Sequence, residues 1–148
     1  MIRLLKKLRA ALPTLVRLLL GFMLVSSGWR WLHRPDVAAY LTDAINVVLD
    51  KHGGVGFYRP FLTEVVLPHA GTFGALVGWG EFLSGVSLFL GVASRLGATV
   101  VAFQFLNYGL MGGYTSLFFH GVLIAMLWIT VHWKSGRRFG LDRWLHVR

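Results

Sequence analysis

Four apolar stretches, each close to twenty residues long, decide what this chain can fold into. They cover roughly residues 12–32, 69–92, 96–114 and 117–133. Each is long enough to cross a hydrocarbon core of about 30 Å at about 1.5 Å per helical residue. Charged residues make up only 14% of the 148, and mean hydropathy is +0.62. A soluble domain carries about 25% charged residues, so this chain lacks the polar surface to cover a water-facing globule. That excludes a soluble enzyme, a nucleic-acid-binding domain and a disordered tail. The expected fold is all-α: an integral membrane four-helix bundle, one domain over residues 1–148.

The net charge of +9 does not point to nucleic acid, because the basic residues cluster at the ends. Arg3, Lys6, Lys7 and Arg9 precede the first stretch, and a tail over 134–148 holds Lys134, Arg137, Arg138, Arg143 and Arg148. Together with Arg95 these make 10 Lys/Arg on one side of the expected topology, against 3 (Arg34, Lys51 and Arg59) on the other. The positive-inside bias then places both termini in the cytoplasm and the protein in the inner membrane. A basic start, the run Leu18–Val25 and the small residues Ser26, Ser27 and Gly28 imitate a signal peptide. Against cleavage stand Arg17, which lies deep for a leader, and Trp29-Arg30-Trp31, which suits an interfacial anchor.

The segment 33–68 is too polar to span and is expected outside the cytoplasm. Val37, Leu41, Ile45, Val48 and Leu49 share one face at helical spacing, which predicts an amphipathic helix over 37–50. His52-Gly53-Gly54-Val55-Gly56 breaks it, and a second apolar element over 57–67 ends near Pro68. Two readings stand: a cap lying on the membrane face, or a lid over a site between the helices.

Ionisable groups within the apolar stretches mark candidate sites, since a charge at the bilayer centre costs roughly 2.5–3.5 kcal/mol and turns toward protein. Glu81 shares its helical face with Gly74, Gly78, Ser84 and Gly85, a surface small enough for a neighbouring helix to approach closely. Gln104, Asn107, Tyr108 and Met111 form a polar stripe on the third stretch. Glu81 and Asn107 sit at similar depth, roughly 16 Å from the cytoplasmic ends, so the amide is expected to hydrogen-bond the carboxyl. Arg17 is either the counter-ion of Glu81, directed inward, or a snorkelling residue. His69 and His120 lie at similar depth near the outer face, where interfacial hydrogen bonding competes with proton transfer and with a haem pair. His120 and His132 are about 18 Å apart by helical rise and cannot share a metal; no metal site is expected. With no cysteine, thiolate chemistry and Cys-ligated clusters are excluded. Most tryptophans fall near the ends of the stretches, as interfacial belts do, and Gly109 with Gly113 matches a helix-packing Gly-x-x-x-Gly motif.

Three pieces carry a likeness to known proteins: "RLLLGFMLVSSGWRWL", "FYRPFLTEVVLPHAGTFGALVGWGEFLSGVSLFLGVASRLGA" and "SGRRFGLDRWL". With them the chain resembles the DoxX/DoxD family of small four-span membrane proteins, and within it the small subunit of thiosulfate:quinone oxidoreductase. The Gly80-Glu81 pair with "GVSLFLGVASRLGA" is the most specific part. The resemblance implies a four-helix bundle and quinone-linked oxidation of small sulfur compounds such as thiosulfate, with a partner subunit or a homo-oligomer. By position, Arg17 and Glu81 match the family-like polar residues and are the expected catalytic pair; Asp142 belongs to the tail motif and is expected to cap or tether the tail rather than to catalyse. A quinone headgroup is then expected among Glu81, Arg17, Gln104, Asn107 and Tyr108, with His120 as a further ligand-binding residue. Two other functions fit the residues: a non-catalytic anchor or assembly subunit, and a small-molecule carrier.

Overall fold

The computed structural model describes residues 2–132, with side chains placed from 11 to 129. Among the described residues all regular elements are helical. The first, α1 (Ile2–Leu32), runs through Pro13 and includes the expected first stretch. A short turn leads to α2 (Val37–His52). Asp36 caps it, accepting a hydrogen bond from the Ala39 amide at 2.9 Å, which satisfies one of the donors that a helix start leaves open. Gly53 ends it at φ +71, its amide bonded to the Leu49 carbonyl; the left-handed turn suits a residue without Cβ. Leu41, Ile45 and Leu49 are its buried row, so the predicted amphipathic face is the face that packs.

The next stretch departs from the expected layout. A single α turn, α3 (Arg59–Phe61), passes into a π turn (Leu62–Val66) and a 3-10 turn (Leu67–His69), which lead straight into α4 (Ala70–Leu90). Pro68 was expected to end one element before another began at His69. Instead, 59–90 is one helical run of 32 residues. Proline lacks an amide hydrogen and crowds the turn before it. The change from wide π to tight 3-10 hydrogen bonding takes in the ring, and the backbone departs from α geometry at His69 (φ -119, ψ 29) before α4 begins.

Gly91, at φ +68, closes α4, and a sharp turn leads to α5 (Ser94–Met111). The last described helix, α6 (Gly113–His132), follows a turn at Gly112 and Gly113. That turn was expected at 113–116. Gly113 takes φ +79, so the chain reverses there and Tyr114 to Ser116 are already helical. Gly109 and Gly113 therefore do not share one helix face as the Gly-x-x-x-Gly match implied; Gly109 alone admits close approach, a Cβ there falling 2.9 Å from the Leu117 backbone.

Helices α1 and α4 form the tightest seam, and glycines set it. A Cβ at Gly28 would lie 2.4 Å from the Phe82 amide nitrogen, and one at Gly85 would lie 2.5 Å from that of Val25. Gly21 meets Phe89 while Gly28 meets Phe82, so the two helices run antiparallel. Helix α5 packs on α4 and α6, and α2 packs across α4. One apolar core, with Leu20, Leu24, Leu88, Val101 and Leu127, lies inside the long helices; another, with Leu41, Ile45, Leu62 and Val66, lies beneath α2.

Large apolar side chains also cover the outside. Leu19, Phe22, Met23, Leu83, Leu96, Phe103, Phe118 and Trp128 all stand exposed. A soluble monomer does not present so much contiguous apolar surface. Two stretches meet the length and hydropathy of a membrane span: Ala11–Leu32, at mean hydropathy 1.6, and Arg59–Leu90, at 1.5; Gly113–Ile129 is a shorter apolar helix. Lipid is the solvent this exterior fits.

Candidate functional site

Glu81 lies in the middle of α4 and is only 4% exposed. Its face of the helix is buried too, through Gly74, Gly78, Ser84 and Gly85. A Cβ at Gly78 would meet Trp31 and Leu32, one at Gly85 would meet Val25, and one at Gly74 would meet Val37, so this face is covered by α1 and, at its start, by α2. The carboxyl thus points into protein, which answers the cost of placing it in an apolar surrounding.

Tyr108 of α5 donates its hydroxyl hydrogen to Glu81 Oε1 at 2.7 Å. The partner expected from the sequence, Asn107, faces elsewhere. Asn107 Nδ2 donates to the Phe103 carbonyl at 2.7 Å, and its Oδ1 accepts from the Tyr58 hydroxyl. Consecutive residues on a helix diverge by about 100°. With Tyr108 turned to α4, Asn107 is turned toward the segment beneath α2. Depth alone could not tell these neighbours apart.

Arg17 and Glu81 are not at one level. The α1–α4 register, with Gly21 beside Phe89 and Gly28 beside Phe82, sets Glu81 opposite residues near 28. Arg17 falls about twelve residues away along α1, near 18 Å by helical rise, level with the turn that follows α4. It is 2% exposed and so does not snorkel at the surface. It is buried as the inward reading required, but separated from the acid it was to neutralise.

The other polar oxygen of Glu81, Oε2, is buried and has no hydrogen-bond partner among the described residues. Glu81 and Tyr108 are the polar part of the wall of a cavity of 420 Å³, with Ser27; Leu20, Leu24, Phe105 and Leu123 are among the apolar residues that complete it. Leu19 and Met23 line it as well and stand 64% and 63% exposed, so its mouth lies on the apolar flank of the molecule. The volume is that of a small-molecule pocket.

Tyr108 also lines a second cavity of 330 Å³, on the other side of the α4–α5 pair, where Gln104, Asn107 and Met111 join it. The whole polar stripe of α5 therefore shares one space. Gln104 Nε2 donates to the Val77 carbonyl at 3.1 Å, lying over Gly80, where a Cβ would come within 2.6 Å of that nitrogen. Burial raises the Tyr58 phenol above its ordinary pKa of 10.0, which keeps it a neutral donor to Asn107. His120 lines neither cavity. Its Nδ1 lies 2.8 Å from the Ser116 carbonyl, and its ring stands against Phe105, Tyr108 and Phe119. His69, at the start of α4, has Nδ1 3.0 Å from the Val65 carbonyl. Tyr58 and Ser27 were not expected at the site from the sequence, and Gly80 entered only through the family likeness. Tyr58 reaches its partner across 49 residues, and no local pattern encodes that.

A family model described as "TQO small subunit DoxD" matches residues 12–148. The chain belongs to the DoxD family. No curated protein and no solved structure matches it. The DoxD match takes in the whole Glu81 site and both cavities, along with the tail over 134–148, where Asp142 lies outside the described residues. Family membership and the apolar exterior together make this DoxD chain a membrane protein.

Proposed function

We propose that this chain is the membrane subunit of a quinone-linked oxidoreductase, and that the cavity beside Glu81 receives the acceptor's ring. The observation that carries the reading is Glu81 itself: its Oε2 is buried without a partner among the described residues, and the residue lines an apolar cavity whose mouth opens toward lipid. A buried polar atom without a partner is expensive, and a ligand bearing a polar group on an apolar ring would satisfy it. When bound, a quinone supplies two-electron, two-proton redox chemistry. Glu81 would hold or release a proton at Oε2, while the Tyr108 hydroxyl fixes the carboxyl through Oε1. Leu24, Phe105 and Leu123 would keep water from the ring. No lysine or arginine among the described residues lines this cavity, so a small sulfur oxyanion such as thiosulfate would be handled by a partner subunit. In this reading α1, α4, α5 and α6 all cross the inner membrane, with both termini in the cytoplasm, as the distribution of Lys and Arg favours.

A second reading has an observation of its own. The glycine seam between α1 and α4 and the Tyr108–Glu81 bond tie three helices together, which suits an anchor or assembly subunit. Glu81→Gln separates the two. In complex purified from native membranes, the catalytic reading expects normal assembly and quinone reduction lowered by about a hundredfold or more, the scale of a removed proton-transfer group. Loss of assembly, with normal activity in the complex that does form, would establish the anchor reading instead.

A further inference from the structure

Arg17 is among the largest fully buried side chains, at 2% exposure. A guanidinium keeps its proton in any protein environment, so it cannot escape burial by going neutral. A buried cation needs an anion against it. The chain has six side-chain carboxylates from which to draw one. Asp36 caps α2, Asp43 and Asp50 are exposed along it, and Glu64 is exposed in the π turn. These four lie beside or before the start of α4, the length of that helix away from the turn level with Arg17. Glu81 stands about 18 Å from Arg17 by helical rise. The sixth carboxylate is Asp142.

The tail that carries Asp142 leaves the bundle at the level of Arg17. Gly109 lies beside Leu117 across the α5–α6 contact, a register that puts His132, the last described residue of α6, level with Ser94 at the start of α5. Asp142 comes ten residues after His132, a reach of about 33 Å when extended. Packed helices stand about 8–10 Å apart, so the tail can cross the end of the bundle with chain to spare.

The place it reaches suits a carboxylate. Arg17 lies one turn beyond Leu20 on α1, and Ser94, 6% exposed, lies one turn before Ala98 on α5; Leu20 and Ala98 share one core. Thr14 shares the face of Arg17 one turn further on, and its Oγ1 is buried with no hydrogen-bond partner among the described residues. The first amides of α5 carry the partial positive charge of a helix start, and Ala93, in the cap position, has no side-chain acceptor to offer them. Around Asp142 the sequence places Phe139, Leu141, Trp144 and Leu145, apolar side chains that can accompany a carboxylate out of water.

We propose that Asp142 is the counter-ion of Arg17, so that the C-terminal tail folds back over this end of the bundle and latches α1 to the start of α5. The latch stands whether or not the Glu81 cavity takes an electron acceptor.

The test uses the full chain in lipid nanodiscs, with Leu141 replaced by a diazirine-bearing leucine analogue. Illumination is expected to cross-link it to peptides within 11–20 and 91–98, mapped by mass spectrometry. Asp142→Asn in the same protein is expected to lower that yield about tenfold or more, the scale of a lost hydrogen bond to a charged group. In thermal unfolding, Asp142→Asn strands the buried guanidinium and is expected to lower the midpoint by roughly 6–20 °C. Adding Arg17→Met to that variant is expected to raise the midpoint again, since it removes the stranded charge. Cross-links that miss both segments would overturn the latch, and that result needs no charge variant to fold. A yield unaffected by Asp142→Asn, or an Arg17→Met change that lowers the midpoint equally with and without Asp142, would overturn the pairing.

Discussion

A single methyl group at Gly28 tests whether the α1–α4 seam is as close as it must be to bury Glu81. The added Cβ would stand 2.4 Å from the Phe82 nitrogen and 2.8 Å from both the Gly78 oxygen and the Phe82 Cα. All three are backbone atoms, so no rotamer change relieves the clash. Ordinary contact begins near 3.4 Å, and the helices must part by about 1 Å or bend, an overpacking that costs typically 1–3 kcal/mol. The opened seam also loses dispersion contacts along both helices, since a gap of 0.5–1 Å already forfeits a quarter to a half of each contact's well depth. Gly121→Ala is the control: a Cβ there meets nothing within 4 Å, and alanine favours a helix over glycine by up to about 1 kcal/mol. The assay is thermal unfolding in lipid or detergent, followed by tryptophan fluorescence. Gly28→Ala is expected to unfold roughly 3–10 °C below the parent, and Gly121→Ala at or above it. If Gly28→Ala matches Gly121→Ala, the helices are not packed backbone to backbone, and the enclosure of Glu81 by α1 fails with that packing.

Two further outcomes are expected. Tyr108→Phe removes the hydroxyl that donates to Glu81 Oε1 and leaves the carboxyl without that bond, lowering stability by about 1–3 kcal/mol; the same unfolding assay reads it, and an unchanged midpoint would mean the bond contributes nothing. Asp36→Ala removes the cap on α2 and is expected to cost about 0.5–2 kcal/mol, seen as faster hydrogen exchange over 37–40 with exchange in α4 unaltered.

How far the site was legible in the sequence varies from residue to residue. Glu81 was readable because a lone acid among glycines on an apolar helix has few tolerable environments. The stripe of Gln104, Asn107, Tyr108 and Met111 was readable as a face, because helical periodicity follows from spacing alone. Which member of the stripe meets the acid was not readable: it depends on the rotation of α5 about its own axis, which packing against α4 and α6 sets. The same holds for Arg17. Its burial was within reach of the sequence, but its offset from Glu81 depends on the α1–α4 register, fixed by where Gly21, Gly28 and Gly85 interlock.

By itself the sequence determined the solvent and the building material. Scarce charge and four long apolar stretches leave helices in lipid as the stable outcome, because backbone polar groups must be satisfied within each segment there. The amphipathic row of α2 and its capped ends are local chemistry of the same kind. Only the tertiary structure decided that 59–90 runs on through Pro68, that Tyr58 reaches Asn107, and that the space around Tyr108 divides into two cavities. These features depend on contacts between segments distant in the chain, where close packing chooses one rotation and one register among several that periodicity allows equally.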